Sequence, residues 1–119
     1  MTELGDRARE LLDLHTAPKI LTLANVWDVV SAQGVAATPG TTALATASHS
    51  IAASFGDKHG ENIPLELHLD MVRRIVEAVD LPVSMDFEAG YGNPGETARQ
   101  AIASGVVDGN LEDQMRPLE

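Results

Sequence analysis

Acidic side chains follow two of the apolar runs in the sequence, and their type suits a metal ion. Asp86 and Glu88 come just after one run, and Glu112 comes just after the next. Residues two apart on an extended chain point to the same side, so Asp86 and Glu88 are expected to share a face. Oxygen ligands without His or Cys among them favour Mg²⁺ or Mn²⁺. The sequence therefore predicts a divalent metal site at these three carboxylates.

Polar groups also follow the two earlier apolar runs. In parallel α/β proteins ligands bind at the carboxyl ends of the strands, so the side chains just after each run are candidates for substrate contact. The first run leads to Asn25, Trp27 and Asp28. The second run leads to the candidate substrate-binding residues Thr46, Ser48 and His49.

Each of these residues also has a plain structural explanation. Asp28 stands where a helix cap would, Glu112 could begin a solvated turn, and acids two apart are common by chance. Gly90 and Gly92 could end a strand in a turn that needs positive φ. For any one of these acidic residues taken alone, a structural role is favoured over a functional one. Only the whole set, with Tyr91 and its two glycine neighbours included, favours a functional site.

The clearest element is a helix over residues 65–79. Leu65, Leu69 and Val72 recur there at helical spacing, and the charged side chains face away from them. His68 lies beside this apolar face, where we expect a packing or a solvated role. The pattern therefore predicts a helix with one buried side.

Four short apolar runs predict strands that alternate with helices. The spacing leaves room for a crossover helix between successive strands, and only parallel strands need such connections. We therefore predict an α/β chain of parallel (β/α) units with a leading N-terminal helix. The predicted strands cover 20–25, 42–46, 82–86 and 106–111, and the other predicted helices cover 2–15, 29–35 and 96–104, with a helical turn at 51–55.

Composition limits the class of protein. The chain has 119 residues, of which 44% are hydrophobic, and a formal net charge of −10. One domain over residues 1–119 is the ceiling at this length. The acidic balance argues against nucleic acid or an anionic membrane as partner. There is no cysteine, and no apolar run reaches the roughly 18 residues that a membrane span needs. We expect a soluble protein of the reducing cytoplasm.

Five segments carry a resemblance to a known family, and they cover residues 23–28, 43–48, 60–64, 86–92 and 110–113. The most specific is the acid-x-acid-x-Gly-Tyr-Gly run that begins at Asp86. Together the segments resemble the isocitrate lyase and phosphoenolpyruvate mutase superfamily, in particular its phosphonomutase-like members. The resemblance spans nearly the whole chain.

The resemblance implies the N-terminal half of a TIM (β/α)₈ barrel and chemistry on a small α-oxo acid. In the family, two acids after the third strand and a glutamate after the fourth organise Mg²⁺, which implies Asp86, Glu88 and Glu112 as ligands. The ion would stabilise an enolate of pyruvate as a C–C or P–C bond is broken or made. Backbone N–H groups near Ser48 and His49 would hold the substrate carboxylate.

Two departures from the family bear on the reaction. Its lyases carry a Lys-Cys-Gly-His type loop after the fourth strand, whereas residues 112–117 read Glu-Asp-Gln-Met-Arg-Pro. Cleavage of isocitrate or methylisocitrate by that route is therefore disfavoured. A (β/α)₈ barrel also takes about 250 residues, whereas this sequence covers only four of its strands.

Three hypotheses follow for the function. The chain is the N-terminal half of a Mg²⁺-dependent lyase or mutase, an inactive fragment, or a homo-oligomer in which two copies close one barrel by pairing strand four of each with strand one of the other. A single copy is expected to leave strands one and four as edges and to expose apolar residues of the barrel interior. An open doubly wound sheet ranks last, because the Gly-rich loop that it needs after strand one is missing.

Overall fold

Four short parallel strands form one sheet in the computed structural model, which describes residues 4–57, 63–88 and 90–111. Helices occupy the connections, so the predicted parallel (β/α) units with a leading helix are confirmed. The strands are β1 (Ala24–Val26), β2 (Leu44–Thr46), β3 (Val83–Asp86) and β4 (Asp108–Asn110). The helices are α1 (Leu4–Thr16), α2 (Val29–Ala36), α3 (Ser48–Ser54), α4 (Leu65–Ala78) and α5 (Pro94–Ala103).

The strands cross the sheet in chain order, and every neighbouring pair is parallel. All the carboxyl ends therefore lie along one rim. β1 and β4 are the edges of this sheet, as expected for four consecutive strands of a barrel. The register places one row of residues side by side across the sheet, Asn25, Ala45, Ser84 and Asp108.

The hydrophobic core lies between one face of the sheet and the helices. Leu44 and Val83 belong to one buried cluster with Val72 and Ile75 of α4, and none of the four is more than 1% exposed. The predicted apolar side of α4 is therefore confirmed. Among the helices that the structure describes, none has the length and apolarity of a membrane span.

The opposite face of the sheet carries polar side chains. Side chains alternate between faces along a strand, so the row that contains Asn25, Ser84 and Asp108 lies away from Leu44 and Val83. Ser84 Oγ donates a hydrogen bond to Asp108 Oδ2 at 3.2 Å on this face. Leu23 and Ala45 lie on this face as well, so it carries both apolar and polar side chains.

Several predicted boundaries differ from the structure: β2 and β4 are shorter than predicted, and α3 begins at Ser48 where only a helical turn at 51–55 was expected. Pairing of β1 with β2 begins at Ala24, and Ile20 is 88% exposed, so the predicted first strand starts too early. An apolar run does not reveal which of its residues meet a neighbouring strand. α5 begins earlier than predicted because Asn93 caps it, with Oδ1 accepting from Glu96 N–H at 3.1 Å, and Pro94 follows in a position that suits proline.

Asp28 caps α2, which confirms its structural explanation. Its Oδ1 accepts a hydrogen bond from Ser31 N–H at 2.7 Å, and Ser31 Oγ accepts one from Asp28 N–H at 3.1 Å. This reciprocal pair satisfies two donors that the first turn of a helix leaves without partners. Asp28 is therefore the N-cap residue of α2.

Arg7 links α1 to the C-terminal end of α4 by hydrogen bonds. Its guanidinium donates to the carbonyl of Val79 at 3.2 Å and to the carboxylate of Asp80 at 3.2 Å. The carbonyls at the end of a helix lack partners within the helix, and a cation also suits the negative end of its dipole. The leading helix is therefore held to the C-terminal end of α4 by a specific contact.

Candidate functional site

A cavity of about 480 Å³ opens on the polar face of the sheet and receives side chains from all four strands. Because the strands are parallel, it gathers residues that follow different apolar runs in the sequence. Trp27 and Asp28 do not line it. The predicted site residues that do line it are Asn25, Thr46, Ser48, His49 and Asp86.

Asp86 is the carboxylate at the centre of this arrangement. It is half-buried at the end of β3, and Ser48 Oγ donates to its Oδ2 at 2.6 Å. Its Oδ1 accepts from the backbone N–H of Glu88 at 2.9 Å. Hydrogen bonds donated to both oxygens hold the side chain in one orientation.

The three candidate substrate-binding residues differ in what they contact. Thr46 and Ser48 are 3% and 2% exposed. Thr46 Oγ1 accepts from the backbone N–H of Asp86 at 3.1 Å, and the Ser48 hydroxyl bonds the Asp86 carboxylate. His49 is exposed at the cavity wall. The Thr46 and Ser48 side chains therefore hold Asp86, a role that the sequence did not indicate.

Glu88 does not follow the extended path that the sequence suggested. β3 ends at Asp86, and Glu88 has a φ of 55° in the left-handed region. The argument that both carboxylates share a face by strand alternation is therefore wrong. Glu88 is instead 3% exposed, and its Oε2 accepts from the Tyr91 hydroxyl at 2.7 Å.

The turn after β3 combines glycines with strained residues. Gly90 and Gly92 have φ values of 93° and 80°, which confirms that their turn needs positive φ, and Tyr91 between them has 54°. Thr97 Oγ1, buried in α5, donates to the carbonyl of Gly90 at 2.8 Å. This contact ties the turn to the helix that follows it.

His68 was not among the predicted site residues, yet it belongs to this cluster. It is fully buried in α4, and its Nδ1 lies 2.8 Å from the Tyr91 hydroxyl oxygen. A signal was present in the sequence, because position 68 falls three residues after Leu65 and four before Val72, on the buried side. A polar side chain buried there needs a partner.

The pKa of His68 is lowered mainly because burial disfavours the charged imidazole, while the nearby charges of Glu88 and Asp86 act in the opposite direction. We therefore expect the free energy of unfolding to fall as the pH drops below roughly 6.5, where the unfolded histidine gains its proton first. Urea unfolding at successive pH values measures this dependence. His68→Asn should flatten it, whereas the control His15→Asn, on exposed α1, should not. Equal slopes in all three proteins would refute the expectation.

The donor chemistry of the cavity fits a hard cation. The lining that the structure describes carries the carboxylates of Asp86 and Asp108 and no lysine or arginine. Glu88 is not among the lining residues: its backbone N–H donates to Asp86 Oδ1, and its carboxylate accepts from the Tyr91 hydroxyl. Glu112, the predicted third ligand, lies outside the described residues, and within them no group of three His, Cys, Asp or Glu forms a complete metal site. Of the predicted ligands, Asp86 thus faces the cavity and could supply part of a coordination shell.

The parallel sheet and the acidic cavity at its carboxyl ends define a partial (β/α)-barrel of the kind that binds ligands at that rim. The chain belongs to the phosphoenolpyruvate phosphomutase family, whose model matches residues 11–118. The resemblance to this superfamily is therefore confirmed.

Solved structures and a curated relative agree with this assignment. A protein of Burkholderia cenocepacia J2315 assigned as a phosphonomutase is 40% identical, with a TM-score of 0.88 over 95% of this chain and 46% of its own. A lyase/mutase of the same organism is 36% identical, with a TM-score of 0.86 over 92% of this chain and 40% of its own. Isocitrate lyase of Haloferax volcanii is 25% identical over 95% of this chain and 34% of its own. The chain thus spans less than half the length of these relatives.

Proposed function

We propose that the chain forms the metal-binding part of a Mg²⁺-dependent lyase or mutase that acts on a small α-oxo acid. The observation that supports it is Asp86, which faces the cavity while Ser48 and the Glu88 backbone hold its two oxygens. Each carboxylate oxygen keeps a second lone pair that can bind a cation. A side chain that is already oriented loses little entropy when it binds.

In this proposal Asp86 and Glu88 are metal ligands, and Glu112 completes the set. Bound Mg²⁺, or Mn²⁺, supplies Lewis-acid stabilisation of negative charge on the substrate. A phosphonopyruvate hydrolase that shares this fold, at 21% identity and a TM-score of 0.84, was crystallised with oxalate and Mg²⁺. That ion belongs to that protein. For this chain the proposal rests on its own carboxylates and on membership of the family.

The proposed substrate is a small oxo acid whose reaction passes through an enolate of pyruvate. Backbone N–H groups after β2, near Ser48 and His49, would hold its carboxylate, and Thr46 keeps the end of β3 in place beside them. Two similar structures are named for comparable chemistry. They are an oxaloacetate acetylhydrolase with oxalate bound, at 25% identity and a TM-score of 0.80, and a 2,3-dimethylmalate lyase, at 28% and 0.77.

Titration calorimetry with oxalate, a stable mimic of the pyruvate enolate, tests this function directly. We expect oxalate to bind the chain at least about 10-fold more tightly with Mg²⁺ present than with Mg²⁺ removed by chelation, because each ligand lowers the charge cost of the other. Oxalate affinity that is the same under both conditions would contradict the proposed metal-dependent function.

A second candidate is a homo-oligomer in which two copies form one barrel about a two-fold axis. It is favoured by the two sheet edges, β1 and β4, which have no further strand beside them among the described residues, and by the open polar cavity between them. In this arrangement residues 1–119 are half of a (β/α)₈ barrel, and β4 of each copy pairs with β1 of the other. Sedimentation velocity over increasing concentration should then show the mass of two chains. A single monomeric species throughout would exclude this candidate.

A further inference from the structure

A line of hydrogen bonds connects the buried side of α4 to the carboxylate of Glu88. His68 Nδ1 lies 2.8 Å from the Tyr91 hydroxyl oxygen, and the two rings meet at 60° with centroids 5.9 Å apart. The Tyr91 hydroxyl in turn lies 2.7 Å from Glu88 Oε2. His68 and Glu88 are 0% and 3% exposed, so both ends of the line are shielded from water.

The chemistry of the three groups fixes the direction of these bonds. A carboxylate only accepts, so the single hydroxyl hydrogen of Tyr91 is donated to Glu88. The hydroxyl oxygen then accepts from His68, which must carry its proton on Nδ1. Among the residues that the structure describes, His68 Nε2 has no hydrogen-bond partner. This agrees with a proton on Nδ1, because leaving an unprotonated ring nitrogen without a partner costs less than burying an N–H without an acceptor.

The same line continues to Asp86. The backbone N–H of Glu88 donates to Asp86 Oδ1 at 2.9 Å, and Ser48 donates to Oδ2. The residue whose side chain is held by Tyr91 therefore also holds Asp86. A substitution at Tyr91 would therefore affect the carboxylates of both Glu88 and Asp86, because Glu88 contacts Tyr91 and Asp86.

We propose that Tyr91 and His68 are positioning residues that hold the Glu88 carboxylate in the orientation in which it binds a divalent cation. The inference rests on the proposed function, since it assigns Glu88 to that ion. Neither positioning residue touches the ion in this arrangement. Outer partners that orient metal ligands typically change metal affinity 10- to 100-fold when they are removed.

The competing explanation is that His68 and Tyr91 only stabilise the turn. Thr97 offers a matched comparison, because its buried hydroxyl also bonds this turn but reaches the Gly90 carbonyl instead of a carboxylate. Tyr91→Phe and Thr97→Val each delete one buried hydroxyl and keep most of the side chain. A purely structural role predicts the same effect of both changes on metal binding.

Titration of the chain with Mn²⁺, followed by electron paramagnetic resonance, measures the binding. Tyr91→Phe should weaken Mn²⁺ binding about 10-fold or more, whereas Thr97→Val should stay within about 3-fold of the wild type. Urea unfolding of both variants shows how much stability each has lost. Equal weakening by the two variants, or no weakening by Tyr91→Phe, would overturn the proposal.

His68 is tested by loss and rescue. His68→Leu removes the donor to Tyr91 and should weaken Mn²⁺ binding, and His68→Asn, whose amide N–H can replace the Nδ1 donor, should recover most of the affinity. If His68→Asn binds as weakly as His68→Leu although both fold, the hydrogen bond is not what matters, and the proposal fails for His68.

Nuclear magnetic resonance separates this inference from the proposed function, because it needs no metal. Long-range ¹H–¹⁵N spectra should show His68 protonated on Nδ1 alone, and Glu88→Gln should alter that pattern. If the wild type binds no Mn²⁺, the proposed function fails whatever the spectra show. If Mn²⁺ binds but His68 is protonated on Nε2, the proposed function stands and the positioning role is refuted.

Discussion

Asp86→Ala is expected to weaken Mn²⁺ binding by a factor on the order of 100 or more, because in the proposed function Asp86 is a ligand itself and not only a partner that orients one. The change also takes away the acceptor for the Ser48 hydroxyl and for the Glu88 N–H. Glu88 would then lose part of what fixes its backbone. Coupled binding of oxalate should disappear together with the metal.

The matched control is Asp13→Ala, which removes the same charge from the exposed surface of α1. It should leave both affinities unchanged, which shows that net charge alone is not responsible. Asp86→Asn adds a second comparison, because it keeps the shape and one acceptor while removing the negative charge. Metal and oxalate affinities that survive in Asp86→Ala would eliminate this aspartate as a ligand.

Gly90→Ala should lower the free energy of unfolding by about 2–4 kcal/mol, which combines the strain of a left-handed residue with the cost of overpacking. Gly90 has a φ of 93°, and an added Cβ would lie 2.7 Å from Cγ and 3.1 Å from Cα of Pro94. The Cα atom belongs to the first turn of α5 and cannot rotate away. Such a loss is a large part of the roughly 5–15 kcal/mol that stabilises a domain.

Gly92→Ala separates the two contributions in the same turn. Gly92 also has positive φ, at 80°, but a Cβ there would meet no atom within 4 Å among the described residues. It should therefore cost only the backbone strain, about 1–2 kcal/mol. Urea unfolding of the two variants beside the wild type provides the measurement. Equal losses at both positions would mean that the contact with Pro94 contributes nothing.

Much of the fold could be predicted because it depends on local pattern. Helical spacing of Leu65, Leu69 and Val72 identified α4, and the crossover distances between apolar runs required parallel strands. Strand ends could not be predicted as well. Whether Ile20 belongs to β1 depends on the position of β2, which the residues around Ile20 do not specify.

The site was predictable in its location and less so in its contacts. Asp86 was placed correctly at the cavity because parallel topology brings strand ends together. The orientation of Glu88 was missed because its positive φ is rare for a residue that is not glycine. The pairing of His68 with Tyr91 depends on the packing of α4 against a turn that is distant in sequence.

Glu88 and Tyr91 hold positive φ values of 55° and 54°, a conformation that costs an L-residue about 1–2 kcal/mol. Glycine or asparagine at either position would relax the backbone but delete the carboxylate or the phenol. The same replacements would leave His68 or Tyr91 without its buried hydrogen-bond partner, at a cost of about 1–3 kcal/mol that offsets the relief of strain. Positions 88 and 91 are therefore poor targets for raising thermostability, although their backbone is strained.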